Sequence, residues 1–221
     1  MQFSMKLGGY TVDVHTGGLP QRVESGFGRL FGDLVGATYK PIAYLGSKVV
    51  HGTNHAVLAE QNLITGKDIK NIVLIVLNEK PGDVGGETMS LVSIEPFISD
   101  MGGLAGGYSV APTTNISPEA QAAFDKAFQG FLGSNIKPFA LLATKVVKGI
   151  EYMFAAEMTA IISPVAMQTS DYKSVAIIKV FSDFSEIGID TIIEGRPADD
   201  GEKKAGPLGY AFTWLAGSNW P

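Results

Sequence analysis

The stretch SKVVHGTNHAVLAEQ, Ser47–Gln61, returns 97 residues later as TKVVKGIEYMFAAEM, Thr144–Met158. Sliding the chain along itself by that offset lays residues 40–60 over 137–157 with 10 of 21 positions identical: Lys40, Pro41, Ala43, Leu45, Lys48, Val49, Val50, Gly52, Ala59 and Glu60. The match carries upstream, where Val23, Phe27, Leu30, Phe31 and Leu34 fall opposite Ala120, Phe124, Ala127, Phe128 and Phe131. Both sets follow the spacing i, i+4, i+7, i+8, i+11, which is one apolar face of a helix. At an offset one residue larger, GGYTV (Gly8–Val12) lies over GGYSV (Gly106–Val110). A period this long marks a duplicated domain rather than a solenoid array.

Each unit reads GGY[ST]V, extended stretch, helix, Lys-Pro, strand, KVVxG, strand, turn, strand. Pro20 stands near the first helical turn of unit one; Ser117, Pro118 and Glu119 give unit two an N-cap followed by proline at N1. Gly26, Gly28 and Gly32 weaken the first helix by up to about 1 kcal/mol each relative to Ala, so it depends on tertiary packing. Residues 40–61 read as two antiparallel strands meeting at Gly52. Asn71–Leu77 and Ser174–Phe181 are β-branched runs suited to central strands. Lys80-Pro81-Gly82 is a turn before a strand near Met89–Ile94, and Ile187–Ile193 closes unit two.

The expected fold is therefore α+β: two domains, each one helix on its own four- to five-stranded antiparallel sheet. Their boundaries are 1–100 and 101–195, followed by a polar Gly/Pro-rich linker at 196–207 and an aromatic tail at 208–221. The tail, LGYAFTWLAGSNWP, holds both tryptophans, and full burial of a large aromatic gains roughly 1.5–3 kcal/mol, so docking is expected.

Of the 221 residues 45% are hydrophobic and 18% charged, at a net charge of -5, values typical of a chain that buries a core. Lysines and arginines form no run or basic stripe, which argues against nucleic acid. Cysteine is absent, excluding disulfides, thiolate nucleophiles and Cys-ligated metal, and suits a reducing compartment. The N-terminal residues show no secretory pattern, and the longest aliphatic run, Ile72–Leu77, is far too short to span a bilayer. A cytoplasmic protein without a membrane partner is expected, with export by another route left open.

The GG pair, the amphipathic helix and the VVxG strand together resemble the cystatin superfamily, most closely the cysteine-free, signal-free type 1 cystatins, or stefins. KVVHGTN (Lys48–Asn54) resembles the family's QVVAGTN loop, GGYSVAPTTNISPEAQ (Gly106–Gln121) its glycine trunk leading into the helix, and LNEKPGD (Leu77–Asp83) its second hairpin. The resemblance implies a helix-on-sheet fold and inhibition of papain-like cysteine proteases by a three-part wedge. The wedge residues it implies are Gly8 and Gly9, then Lys48, Val49, Val50, His51 and Gly52, then Pro81 and Gly82. In unit two they are Gly106 and Gly107, with Lys145, Val146, Val147, Lys148 and Gly149. Both units carry Lys where the family's loop begins with Gln, and unit two has Ser182-Asp183-Phe184-Ser185 at its second hairpin. Glycine lets backbone approach backbone, and valine loses little rotamer entropy on docking.

No enzyme signature emerges. His51 and His55 stand at i, i+4, but in a strand their Cα atoms lie roughly 13 Å apart, too far to share a metal. His15 sits in a Gly-rich stretch with no obvious carboxylate partner. Met101–Tyr108 lacks a complete GxGxxG or phosphate-loop pattern. Asp199, Asp200 and Glu202 are too sparse for a calcium loop, and Asn115-Ile116-Ser117 matches a glycosylation acceptor only formally.

The reading is a non-enzymatic protein binder without cofactor or metal. Its partner is a papain-like protease or, alternatively, further copies of itself: an oligomer, filament or virion component built by strand exchange or tail donation. Tyr210, Phe212, Trp214, Leu215 and Trp220 would carry such assembly.

Overall fold

The computed structural model describes residues 7–64, 68–83, 85–100, 107–146, 148–160, 173–182 and 187–195. The first repeat comprises β1 (Leu7–His15), α1 (Gln21–Phe31), β2 (Ala37–Val50), β3 (Gly52–Ile64), β4 (Asp68–Glu79) and β5 (Ser90–Ser99). The second comprises β6 (Ser109–Thr113), α2 (Pro118–Ala127), β7 (Ser134–Val146), β8 (Ile150–Ala160), β9 (Lys173–Phe181) and β10 (Ile187–Gly195). The element order is thus the same in both, as the offset implied.

The two repeats do not form separate domains with separate sheets, which corrects the expected architecture. They share one ten-stranded sheet in the order β5-β4-β3-β2-β1-β10-β9-β8-β7-β6. Within each repeat neighbouring strands are antiparallel; the join is the parallel pair β1–β10, where Leu7 lies opposite Ile193 and Tyr10 opposite Gly195.

The physical reason is that each half-sheet is apolar on both faces. Along β4, Val73, Ile75 and Leu77 pack under α1 with Val23, Phe27 and Phe31, while Ile72, Leu74 and Val76 point the other way. Along β9, Ala176, Ile178 and Val180 meet Ala120 and Phe124 of α2, while Val175 and Ile177 face away. A strand alternates its side chains between faces, so a continuous apolar run needs cover on both. The second faces cover each other: all ten strands contribute to one inner core, with Tyr10, Leu45, Leu58, Leu142, Met153 and Ile193 at its largest buried positions. Ala43, Ala56, Ala140 and Ala155 keep the central strands slim, letting larger neighbours interdigitate across this core.

The repeated Lys-Pro is explained by irregularity in the ladder. Register shifts fall between Pro41 and Ala43 in β2 and between Pro138 and Ala140 in β7, and a bulge tolerates a residue with no N–H to donate. The two outer strands also carry proline, Pro96 in β5 and Pro112 in β6, which blunts these edges against added strands.

Both helices run as expected but stop short of their last predicted apolar position. Ser117 caps α2 through Ala120 N–H at 3.3 Å, whereas Pro20 precedes α1 with no side-chain cap. Leu34 and Phe131 lie beyond the helix ends and remain exposed. The tail and linker, 196–221, lie outside the described residues.

A shared core implies joint unfolding. Urea denaturation should show one transition for both repeats, and Ile193→Ala, fully buried at the join, should lower stability by about 2–5 kcal/mol without splitting it. Tyr10 is 1% exposed, and burial pushes its phenol up to about 12 from 10. Its neutral form is favoured by folding, so that contribution is whole below pH 10 and is lost as pH rises towards 12. Stability followed by chemical denaturation should fall across that interval, less steeply in Tyr10→Phe.

Candidate functional site: the hairpin edge

Strand polarity decides where the motifs go. Since β1 and β10 are parallel and every other pair antiparallel, β2 and β7 run the same way. The β2–β3 and β7–β8 hairpins, which carry the two KVVxG copies, therefore turn at the same end of the sheet. The stagger at the join, with the start of β1 against the end of β10, is the kind of offset that accompanies tilted strands in a rolled sheet.

In the first repeat this end gathers the three segments that the resemblance singled out. Val49, Val50, Gly52, Pro81 and Gly82 line one open depression of about 430 Å³ beside Arg22. Gly9 lies next to the hairpin: a Cβ added there would stand 3.7 Å from Lys48 Cε. Val49 is 84% exposed and Val50 42%, and His51 and Lys80 are exposed as well. Gly8 belongs to β1 alongside them.

The glycine of the motif has a structural cause in both copies. Gly52 has φ +102°, and a Cβ there would fall 2.2 Å from the carbonyl oxygen of Glu79. A Cβ on Gly149 would fall 2.6 Å from Ser182 Oγ, which accepts the Ile150 N–H at 2.9 Å. In each repeat the absent side chain lets the hairpin lie against the end of the next strand.

The second repeat presents a partial version of this edge. Val146 is 74% exposed, and Lys148 and Gly107 are exposed. Lys145 Nζ sits 5.4 Å from the centroid of the Tyr108 ring, while the Tyr108 hydroxyl donates to the buried Glu151 carboxylate. Burial, reinforced by that carboxylate, pushes the Tyr108 phenol well above its ordinary range. Gly106, Val147 and residues 183–186 lie outside the described residues, as do Tyr210, Phe212, Trp214, Leu215 and Trp220.

Beneath the first edge runs a polar chain that sequence reasoning missed. Tyr44 Oη lies 3.0 Å from His55 Nδ1, His55 Nε2 lies 3.0 Å from Glu79 Oε2, and Arg22 Nη1 donates to Glu79 Oε1 at 3.0 Å. Burial pushes the Tyr44 phenol up, and the Asp13 and Glu79 carboxylates nearby add to it. The Glu79 carboxylate can only accept, so His55 donates to it from Nε2, and both ring nitrogens have a partner. One chain of bonds thus ties β2, β3, β4 and α1 together under the depression. His15 also departs from expectation: Asp13, two residues away on the same strand face, holds Nε2 at 3.0 Å, and the ring stacks on Tyr44. The i, i+2 spacing was the available signal. The chain is not repeated, because Leu141, Tyr152 and Ser182 occupy the positions corresponding to Tyr44, His55 and Glu79.

Among the described residues no group of three or more His, Asp or Glu side chains is placed to hold a metal, and no helix is long and apolar enough to cross a membrane. Comparison with known proteins yields no relative: no family model, no curated protein and no solved structure matches the chain.

Removing the imidazole takes the partner from the buried Tyr44 hydroxyl and leaves the half-buried Glu79 with Arg22 alone. His55→Ala should therefore cost about 1–3 kcal/mol in urea denaturation, whereas His15→Ala, on the more exposed pair, should change stability by about 0.5 kcal/mol or less.

Proposed function

We propose that the chain is a non-enzymatic protein-binding module whose contact surface is the hairpin edge of the first repeat. The observation that carries this reading is the convergence of Gly9, the exposed Val49–Val50 tip and Pro81–Gly82 on one edge. These are small or rotamer-poor residues, so docking them costs little conformational entropy. The polar chain behind them fixes the relative placement of α1, the hairpin and the neighbouring turn, which favours a preformed contact over an induced one.

The resemblance to cystatins names the partner class: a papain-like cysteine protease whose cleft receives the edge as a wedge. Lys48 and His51 flank the valines, and an ammonium enters a closed cleft only where an acidic group or solvent meets it. The reading is therefore for a protease whose cleft rim is acidic or open. The first repeat is the better wedge, because Pro81–Gly82 stands beside its valine tip, whereas the second repeat has Ser182 at the corresponding hairpin. Self-assembly is the rival. Its strand-exchange form has Pro96 and Pro112 on the outer edges against it, and its tail-donation form rests on residues outside the described set.

Titration of papain with the full chain tests the proposal. Inhibition at nanomolar protein, weakened at least 100-fold by Val50→Asp, is the expected result. Full papain activity at micromolar protein would remove the protease from the reading.

A further inference from the structure

The outer core of the second repeat is left open at the end of the sheet opposite its hairpin. Phe131 and Leu132, which follow α2 there, are 36% and 89% exposed, and Phe128, Ile136 and Met158 of the same core are only half-buried. The first repeat closes the corresponding place: Phe31, the counterpart of Phe128, is 6% exposed and packs against Tyr39, the counterpart of Ile136.

The register shows where the chain leaves that end. Ile136 lies opposite Met158, Met158 opposite Ser174, and Ser174 opposite Glu194, one row across β7, β8, β9 and β10. Directly opposed residues share a face, so Glu194 stands on the outer side with Ile136 and Met158. Gly195 is next, and three strand spacings place it about 14 Å from Ile136. The twelve residues 196–207 that follow can span up to about 40 Å. After them comes LGYAFTW, in which Leu208, Tyr210, Phe212 and Trp214 alternate with Gly209, Ala211 and Thr213. Such alternation suits an extended segment with one aromatic face.

We propose that residues 208–215 dock on their own chain at this open end of the second repeat, their aromatic face covering Phe131 and Leu132 with the half-buried Phe128, Ile136 and Met158. A tether of this length holds the tail near its seat at roughly millimolar effective concentration, which favours its own chain over a second copy. Two other places compete less well. Gly195 also lies opposite Tyr10, but the first hairpin edge offers Val49 and Val50 among Arg22, Glu79, Lys80 and Asp83, a poor match for an aromatic face. Leu34 and Val35, the exposed counterparts of Phe131 and Leu132, precede Ala37, which stands about 33 Å along β2 from Ser47, the residue opposite Thr11. The inference does not rest on the protease reading, and the two fail separately.

Both tryptophans, Trp214 and Trp220, lie in the tail, so the intrinsic fluorescence of the full chain reads its surroundings. Emission should lie to the blue of the urea-unfolded chain, with quenching by acrylamide at least threefold weaker. Leu132→Asp and, separately, Phe131→Asp/Leu132→Asp should each move the emission at least halfway to the unfolded value. Val35→Asp and Val49→Asp should emit as the parent does, and circular dichroism should show every variant folded. Native emission equal to that of the unfolded chain, a blue shift that survives in the double variant, an equal change in Val35→Asp or Val49→Asp, or an emission that varies with protein concentration would overturn the proposal, the last outcome favouring exchange of tails between copies.

Discussion

The structure depends on apolar half-sheets that have two faces to hide and one helix each to hide them with. A helix of ten or eleven residues covers only the outer face of a five-stranded layer. The inner faces have no cover except each other, and the parallel β1–β10 ladder is the seam that holds them in register. From that single constraint follow the ten-stranded sheet, the common core and the orientation of both hairpins towards one end. The ladder is short, so the join owes its strength to what lies beneath it: Tyr10 and Ile193 are buried among residues contributed by both repeats.

The duplication is uneven in its polar details. The inner core retains Ala43 with Ala140 and Leu45 with Leu142, and both KVVxG glycines abut the end of a following strand. The polar chain from Tyr44 to Arg22 belongs to the first repeat alone, while the second has Tyr108 bonded to Glu151 under Lys145. Packing residues are held by neighbours on every side and tolerate little change in volume, whereas an edge facing solvent accepts different polar solutions. The repeats are therefore alike in the shared core and in the Lys-Val-Val tips, and unlike in the polar contacts beneath those tips.

Much of the local structure was legible in the sequence because it is written in short-range periodicity. The spacing of Val23, Phe27 and Phe31 gives the helix and its buried face, Gly52 gives the hairpin, and the offset gives the second copy of each. The joining of the repeats was not legible from the offset, which compares the units without saying what lies between them. Its trace was present in Ile72–Leu77 and Val175–Val180, apolar at nearly every position and hence covered on two sides. At the candidate edge, the valine tips and glycines were visible as motifs. The Tyr44–His55–Glu79–Arg22 chain was not, because its members stand on four elements and only tertiary structure brings them within hydrogen-bond distance. Asp13 and His15 were within reach of a simple strand argument, since alternate residues share a face.

The seam also governs the order in which the molecule is made. Its two strands are the first and the last of the described chain, so the ribosome must deliver almost everything before β1 meets its second neighbour. Until then β1 is a bare edge without proline, and the inner face of the first repeat is open to water. Completion of the core is a long-range event whose loop-closure cost falls only after β10 has been made. A nascent chain stalled before β10 would expose the same edge that the finished protein conceals, and two such chains would offer each other matching surfaces.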